Sequence, residues 1–363
     1  MRFKEMVCKV KQGFTLIPAG LIICGLLGTD SVGLAIDDEW VEKDEMPFGR
    51  YIHAASVVNG KIYVIGGTTG SGRLSTNEEY DPATGKWTKK ADMPTRRMGL
   101  STSVVNGKIY AIGGFRPDDF ALPTVEEYDP KNDTWTEKAD MLTAKGWIAT
   151  SVVDDRVYVI GGLANSDLGP VFSTIEEYDP ALDKWTKKTH MHVAPRWGAA
   201  ASAVNDKIYI IGGGMSWNEL RAVTEYDPRT GKWARKADMP TARICLSTSV
   251  VDGKIYAIGG SQDDEVGLTA VEVYDPTTDQ WLKKADMPTP RWYLSTSAVN
   301  GRIYALGGRT NWNVPPLAKV EEYTPEGWPF AIFPWDKWAA TWGSIKSHGA
   351  RLKAPIYFRE NEK

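Results

Sequence analysis

The sequence predicts an all-β fold, a ring of six four-stranded sheets closed by an N-terminal strand that completes the last blade, and three observations carry that prediction. A Gly-Gly pair ends an Ile-Tyr-Val-Ile-like run six times, beginning at Gly66, Gly113, Gly161, Gly212, Gly259 and Gly307, with starts 47, 48, 51, 47 and 48 residues apart. A tyrosine and a tryptophan seven residues apart follow in five of the six copies. A fourth-strand pattern, Trp40 to Pro47, stands ahead of the first copy with no three strands before it. A period near fifty residues is that of a β-propeller, in which each copy buries its neighbours' faces.

Residues 1–35 precede the repeats. Arg2, Lys4, Lys9 and Lys11 lead into an apolar run from Phe14 to Leu27, and Gly33-Leu34-Ala35 offers small residues for cleavage, the layout of a secretory signal peptide. The run is fourteen residues long and is interrupted by Pro18. That is short of the roughly twenty residues a membrane span needs. The expectation is cleavage after Ala35 and an exported chain, periplasmic, secreted or at the cell surface, with an uncleaved anchor as the alternative. A prepilin leader wants an acid where Pro18 stands, and a lipoprotein leader wants a small residue where Ile23 precedes Cys24.

Loss of residues 1–35 removes four basic and two acidic groups and moves the formal net charge from −3 to −5. That balance supports neither a nucleic-acid nor an anionic-membrane surface. Cys8 and Cys24 leave with the leader, and Cys245 remains without a second cysteine to pair with in the mature chain. Stability then rests on a packed core, which fifteen tryptophans, all beyond Ala35, are enough to supply. A monomer is expected.

The copy from Arg97 to Met141 illustrates the unit: a strand from Leu100, a turn at Asn106-Gly107, a second strand ending at Gly113-Gly114, a variable loop, a third strand to Tyr128, Asp129-Pro130, and a fourth strand at Trp135. The first turn recurs as Asn59-Gly60, Asp154-Asp155, Asn205-Asp206, Asp252-Gly253 and Asn300-Gly301, residue types that tolerate the positive φ of a tight hairpin. The Gly-Gly pair suits a close backbone approach, and no G-x-G-x-x-G or Walker pattern accompanies it. The pairs Tyr80/Trp87, Tyr128/Trp135, Tyr178/Trp185, Tyr226/Trp233 and Tyr274/Trp281 predict packing between blades.

This arrangement resembles the Kelch-repeat β-propellers over roughly residues 40–323. The sixth copy keeps its hairpin, Gly307-Gly308 and Tyr323, but has no tryptophan seven residues later. The strand at Trp40 is therefore expected to complete it, giving a domain over 36–323. Residues 324–363, with Trp328, Phe330, Phe333, Trp335, Trp338 and Trp342, form an aromatic tail of unassigned role.

The loops joining second to third strands share one face with the segments that lead into the first strands, so that mouth of the central channel is the expected site. Arg50, Arg97, Lys145, Arg196, Arg243 and Arg291 recur where the chain enters each first strand. The resemblance places them beside residues after Gly-Gly, namely Arg116, Asn165, Trp217, Gln262, Arg309 and Asn311. Guanidinium groups bind carboxylates in bidentate fashion, and Trp197, Trp217, Trp292 or Trp312 could stack on a sugar or aromatic ring. The other reading of the cations is structural, with backbone carbonyls or Asp92, Asp140, Asp238 or Asp286 as partners.

No metal or cofactor site is expected. His53, His190, His192 and His348 are the histidines, and His190-Met191-His192 replaces an Asp-Met-Pro found in other copies. Kelch-like copper oxidases require a cysteine crosslinked to tyrosine together with histidine ligands, and Cys245 has no histidine cluster beside it in sequence. Acid pairs such as Asp118-Asp119 and Asp263-Asp264-Glu265 read as solvated. The resemblance implies a binding module for a protein or an acidic glycan at the mouth. Its alternatives are a sugar-processing enzyme of the sialic-acid mutarotase kind and a structural envelope protein.

Overall fold

Six four-stranded antiparallel sheets follow one another along the chain in the computed structural model, which describes residues 38–166, 169–191, 196–215 and 218–326. Blade 1 comprises Ala54–Val58, Lys61–Ile65, Asn77–Asp81 and Lys86–Lys89, and blades 2 to 5 repeat the pattern from Ser101, Ala149, Ala200 and Ser247. Blade 6 consists of Ser295–Val299, Arg302–Leu306, Val320–Thr324 and the N-terminal strand Glu39–Lys43. The expected leader and most of the aromatic tail lie outside the described residues.

Each hairpin takes its register from its turn. Ala54 faces Ile65 and Val58 faces Lys61, with Asn59 and Gly60 between them at φ 52° and 74°. Those values match the left-handed pair that lets two strands continue with their natural twist. The other five turns have positive φ at both residues too. Second strands bury four consecutive residues, as in Ile62-Tyr63-Val64-Ile65, because a neighbouring blade covers each face. Gly66, at φ 63°, closes the strand where the chain of the next blade crosses. A Cβ there would stand 2.8 Å from the Arg97 carbonyl, so no larger residue fits.

Aromatic side chains join blade to blade as expected. The Tyr128 ring lies 5.0 Å from Trp135 in its own blade and 5.8 Å from Tyr63 of blade 1. Tyr128 donates to Asp133 at 2.6 Å, Asp133 also accepts from the Ala91 amide at 2.8 Å, and Trp135 Nε1 donates to the Ala91 carbonyl at 2.8 Å. Asp183 with Trp185 and Asp279 with Trp281 repeat this clasp. In these three copies the tyrosine hydroxyl and the indole N–H are thereby both satisfied, and the tyrosine rings are fully buried.

The N-terminal strand takes the place of the missing fourth strand. Glu39 to Lys43 pair antiparallel with Thr324 to Val320, and Trp40 packs 5.0 Å from Tyr323 as the other tryptophans pack on their tyrosines. Trp40 Nε1 donates to the Ala285 carbonyl of blade 5 at 3.0 Å, and Met46 is buried between blades 6 and 1. The ring is closed by strand pairing within one sheet.

Candidate functional site

The cations that begin each blade are interior groups. Arg50, Arg97, Lys145, Arg243 and Arg291 have no solvent exposure and Arg196 has 2%. In blade 2, Arg97 Nη2 meets Glu126 Oε2 at 2.6 Å, Nη1 donates to the carbonyls of Gly113 (3.0 Å) and Thr124 (2.8 Å), and Nε donates to Met93 Sδ at 3.3 Å. Arg243 repeats this with Glu272, Gly259, Ala270 and Met239. Arg50, Lys145 and Arg291 pair with Glu78, Glu176 and Glu321. Burial lowers Arg97 and Arg243 to about 10, which leaves both charged at neutral pH.

Their partners are therefore glutamates two residues before each tyrosine, and not the aspartates considered from sequence. Asp92, Asp238 and Asp286 instead pair with Lys89, Arg235 and Lys283 on the surface. The signal was present in the sequence, since an acid stands two before the tyrosine in five copies and Thr224 stands there in the fourth.

Two residues after each cation comes Ile52, Gly99, Trp147, Gly198, Cys245 or Tyr293, and all six have φ between 48° and 64°. Each of these amides donates to the carbonyl of the preceding one in the circle. Gly99 donates to Ile52 at 3.0 Å, Trp147 to Gly99 at 2.8 Å, Gly198 to Trp147 at 3.4 Å, Cys245 to Gly198 at 2.8 Å, Tyr293 to Cys245 at 3.1 Å, and Ile52 to Tyr293 at 3.0 Å. The result is a closed ring of six peptide hydrogen bonds joining all blades. Holding a β-branched Ile and two aromatics in the left-handed region costs about 1 kcal/mol or more each, and the ring of bonds holds them there. Nothing in the sequence foretells it.

Below the ring, a cavity of about 100 Å³ is lined by Ile52, His53, Leu100, Ile148, Leu246 and Leu294, among others. It leads into a second cavity of about 210 Å³, lined by hydroxyls. There Ser56 bonds to Thr102, Ser103 to Thr150, Ser202 to Thr248 and Ser249 to Thr296, at 2.8 to 3.0 Å across blade boundaries.

His53 stands in this channel where other blades place Leu100, Ile148, Ala199, Leu246 and Leu294. Neither ring nitrogen makes a well-formed hydrogen bond, although the Leu306 carbonyl offers slight compensation. Burial, helped by Arg50 and Arg291, lowers its pKa to about 3. Below pH 6.5 the unfolded chain binds a proton that the folded chain refuses, so stability falls as pH drops from about 6.5 towards 3. Between pH 7 and 5 the loss is about 2 kcal/mol. Urea unfolding at those two values is expected to show that loss in the wild type and little of it in His53→Leu; an equal loss in both would assign the acid sensitivity elsewhere.

On the loop side of the ring sits an apolar cluster of Tyr51, Met98, Phe115, Leu163, Trp197, Ile244, Trp292 and Tyr293. Trp197 and Trp292 are thus core residues, exposed by 4% and 0%, while Trp217 lies outside the described residues. Arg309, 8% exposed, gives its guanidinium to the carbonyls of Asn311, Trp312 and Val314 and lies 4.6 Å over Tyr51 and 4.7 Å over Trp312. It holds its own loop.

Asp264, expected from sequence to be solvated with Asp263 and Glu265, is half-buried. Tyr293 donates to its carboxylate at 3.4 Å, and Trp312 Nε1 donates to its carbonyl at 2.9 Å. Its pKa rises to about 6 chiefly through burial, with Glu219 and Asp263 adding to the rise and Tyr293 opposing it. Burial likewise pushes the Cys245 thiol up, so it is an inert core group at neutral pH. Among the described residues no cluster of histidine, cysteine and carboxylate could hold a metal, and no helix is long and apolar enough to cross a membrane.

Nine large apolar side chains are exposed among the described residues, and five of them stand on second-to-third strand loops: Phe120, Met215, Val266, Trp312 and Val314. These loops are knit together. Arg73 pairs with Asp119 in the next blade, Ser166 bonds to Asp119 at 2.6 Å, and Val266 bridges to Asn311.

Fold and repeat together define a six-bladed Kelch-repeat β-propeller. The chain belongs to the attractin/LZTR1 β-propeller family, whose profile matches residues 37–222, and residues 188–323 match the FKB95 Kelch-repeats domain. No curated protein matches the chain. Among solved structures, one described as "Structure of YjhT" is similar in fold, with a TM-score of 0.67 at 18% identity over 78% of this chain and 97% of that chain.

Proposed function

We propose that the chain is an exported interaction module that docks a protein partner across its loop face. The observation that carries this reading is the concentration of Phe120, Met215, Val266, Trp312 and Val314 on that face. Exposed aromatic and apolar side chains on a rigid frame are the usual anchors of a protein interface. Charge supports the same reading. The six repeated cations are engaged inside the blades, Arg73 is held by Asp119 and Arg116 by Asp118, so an acidic glycan has fewer free cations to meet than the sequence alone implies. Export rests on the layout of residues 1–35.

A second reading, an enzyme acting on a sugar, is favoured by Asp264. Its raised pKa lets it exchange a proton near neutrality beside the Trp312 ring.

One experiment separates the two. Protein recovered from the envelope of its source, with an N-terminus expected at Ile36, is crosslinked in place and its neighbours identified. Phe120→Asp and Val266→Asp are expected to weaken capture of a specific neighbour at least tenfold, while Leu182→Asp on the opposite face leaves it intact. Capture unchanged in the loop variants would overturn the docking reading. Anomer exchange of sugars lost in Asp264→Asn would move the assignment to the enzyme.

A further inference from the structure

Five blades serve as internal controls for the sixth. In blades 1, 2, 3, 5 and 6 the buried cation meets a glutamate at 2.5, 2.6, 3.0, 2.6 and 2.7 Å. In blade 4 the corresponding residue is Thr224, and no described residue forms an ion pair with Arg196. Arg196 Nη1 donates to the carbonyls of Gly212 at 3.3 Å and Ala222 at 3.2 Å, the bonds its counterparts also make. Its Nε is buried without a hydrogen-bond partner, as are those of Arg50 and Arg291; what sets blade 4 apart is that the Thr224 hydroxyl, in the place of the glutamate, is buried without a partner too. Both residues are 2% exposed.

An arginine cannot shed its proton to escape this situation. A buried charge left without its partner is strongly destabilising. Burial lowers Arg196 only to about 10, with Arg235 lowering it further and Asp238 opposing, so it remains a cation at every physiological pH. Threonine is also shorter than glutamate and brings no carboxylate, and its hydroxyl is a donor left without a partner. The guanidinium and that hydroxyl form a small set of donors with one positive charge and no paired anion among the described residues.

We propose that Arg196 and Thr224 form a site for one small monovalent anion, of the size of chloride or formate, standing where the glutamate carboxylate stands in the other blades. The ion supplies the missing counter-charge and accepts from the orphaned donors. It ties the stability of blade 4 to the anion content of the compartment, which the other blades do not share.

The test is thermal melting of the full chain in sodium chloride and in sodium gluconate at equal ionic strength, gluconate being far larger than the carboxylate group that the ion replaces. Chloride is expected to raise the melting temperature by about 2 °C or more over gluconate, as ligand linkage requires, with sodium formate acting likewise. Thr224→Glu, which restores the residue of the other five blades, is expected to melt above the wild type in gluconate and to lose the response to chloride. Equal melting of the wild type in all three salts, or an undiminished chloride response in Thr224→Glu, overturns the proposal. Should that variant not fold, wild-type crystals grown in sodium bromide decide the matter. An anomalous peak between the Arg196 guanidinium and the Thr224 hydroxyl, in the place the carboxylate takes beside Nη2 in the other blades, supports the site, and its absence there rejects it.

Discussion

Removal of residues 38–47 is expected to lower the melting temperature by about 10 °C or more. The deleted segment supplies the whole fourth strand of blade 6, from Glu39 opposite Thr324 to Lys43 opposite Val320. With it go the Trp40 ring packed on Tyr323, its hydrogen bond to the Ala285 carbonyl, and the buried Met46 side chain. Fully burying one large apolar side chain is worth about 1.5 to 3 kcal/mol, so Met46 and the half-buried Trp40 together account for roughly 3 kcal/mol before any ladder bond is counted. The loss also exposes the Val320–Thr324 strand as a bare edge, which invites pairing with other chains. A thermal scan followed by light scattering reads both effects. A deletion protein that melts within a degree or two of the full chain would show that another segment supplies the strand.

Glu272→Ala is expected to cost about 3 to 5 kcal/mol in urea unfolding, far more than an average surface substitution. Arg243 has no exposure, and the Glu272 carboxylate is its anion at 2.6 Å while also accepting from Thr241 at 2.7 Å. Removing the acid leaves a guanidinium charge in the interior and strands the Thr241 hydroxyl. The double variant Arg243→Met with Glu272→Leu removes both charges and is expected to recover most of the loss. A cost under about 1 kcal/mol for Glu272→Ala would mean that Arg243 swings out to water when released. It would then be available to a ligand at the mouth, as the sequence reading allowed.

The contrast between these two predictions marks where sequence was informative. The closing strand was legible because Trp40-Val41-Glu42-Lys43 through Met46-Pro47 repeats Trp87 through Met93-Pro94, and a pattern that lacks its first three strands must borrow them. The hairpins were legible for the same reason: Asn59-Gly60 and its five counterparts dictate a turn over two residues, whatever surrounds them. The cations were visible as a repeat, but their destination was not. Whether Arg97 faces a ligand or Glu126 depends on a strand that begins 28 residues later and on the blade that covers both.

The loop face was still less legible. Asp263-Asp264-Glu265 looks like any solvated acidic run, and Asp264 becomes distinct only because Tyr293 and Trp312, contributed by blade 6, close over it. The ring of peptides through Ile52, Gly99, Trp147, Gly198, Cys245 and Tyr293 has no common residue type at all, since its bonds are made by backbone.

By itself, then, the sequence determined the period, the turns, the aromatic clasps between blades and the strand that closes them, because each depends on residues near one another or on identity between copies. Tertiary structure alone decided which polar groups are sealed and which face solvent. Burial and electrostatic partnership are set by side chains that meet across blades, and those meetings exist only once the ring has formed.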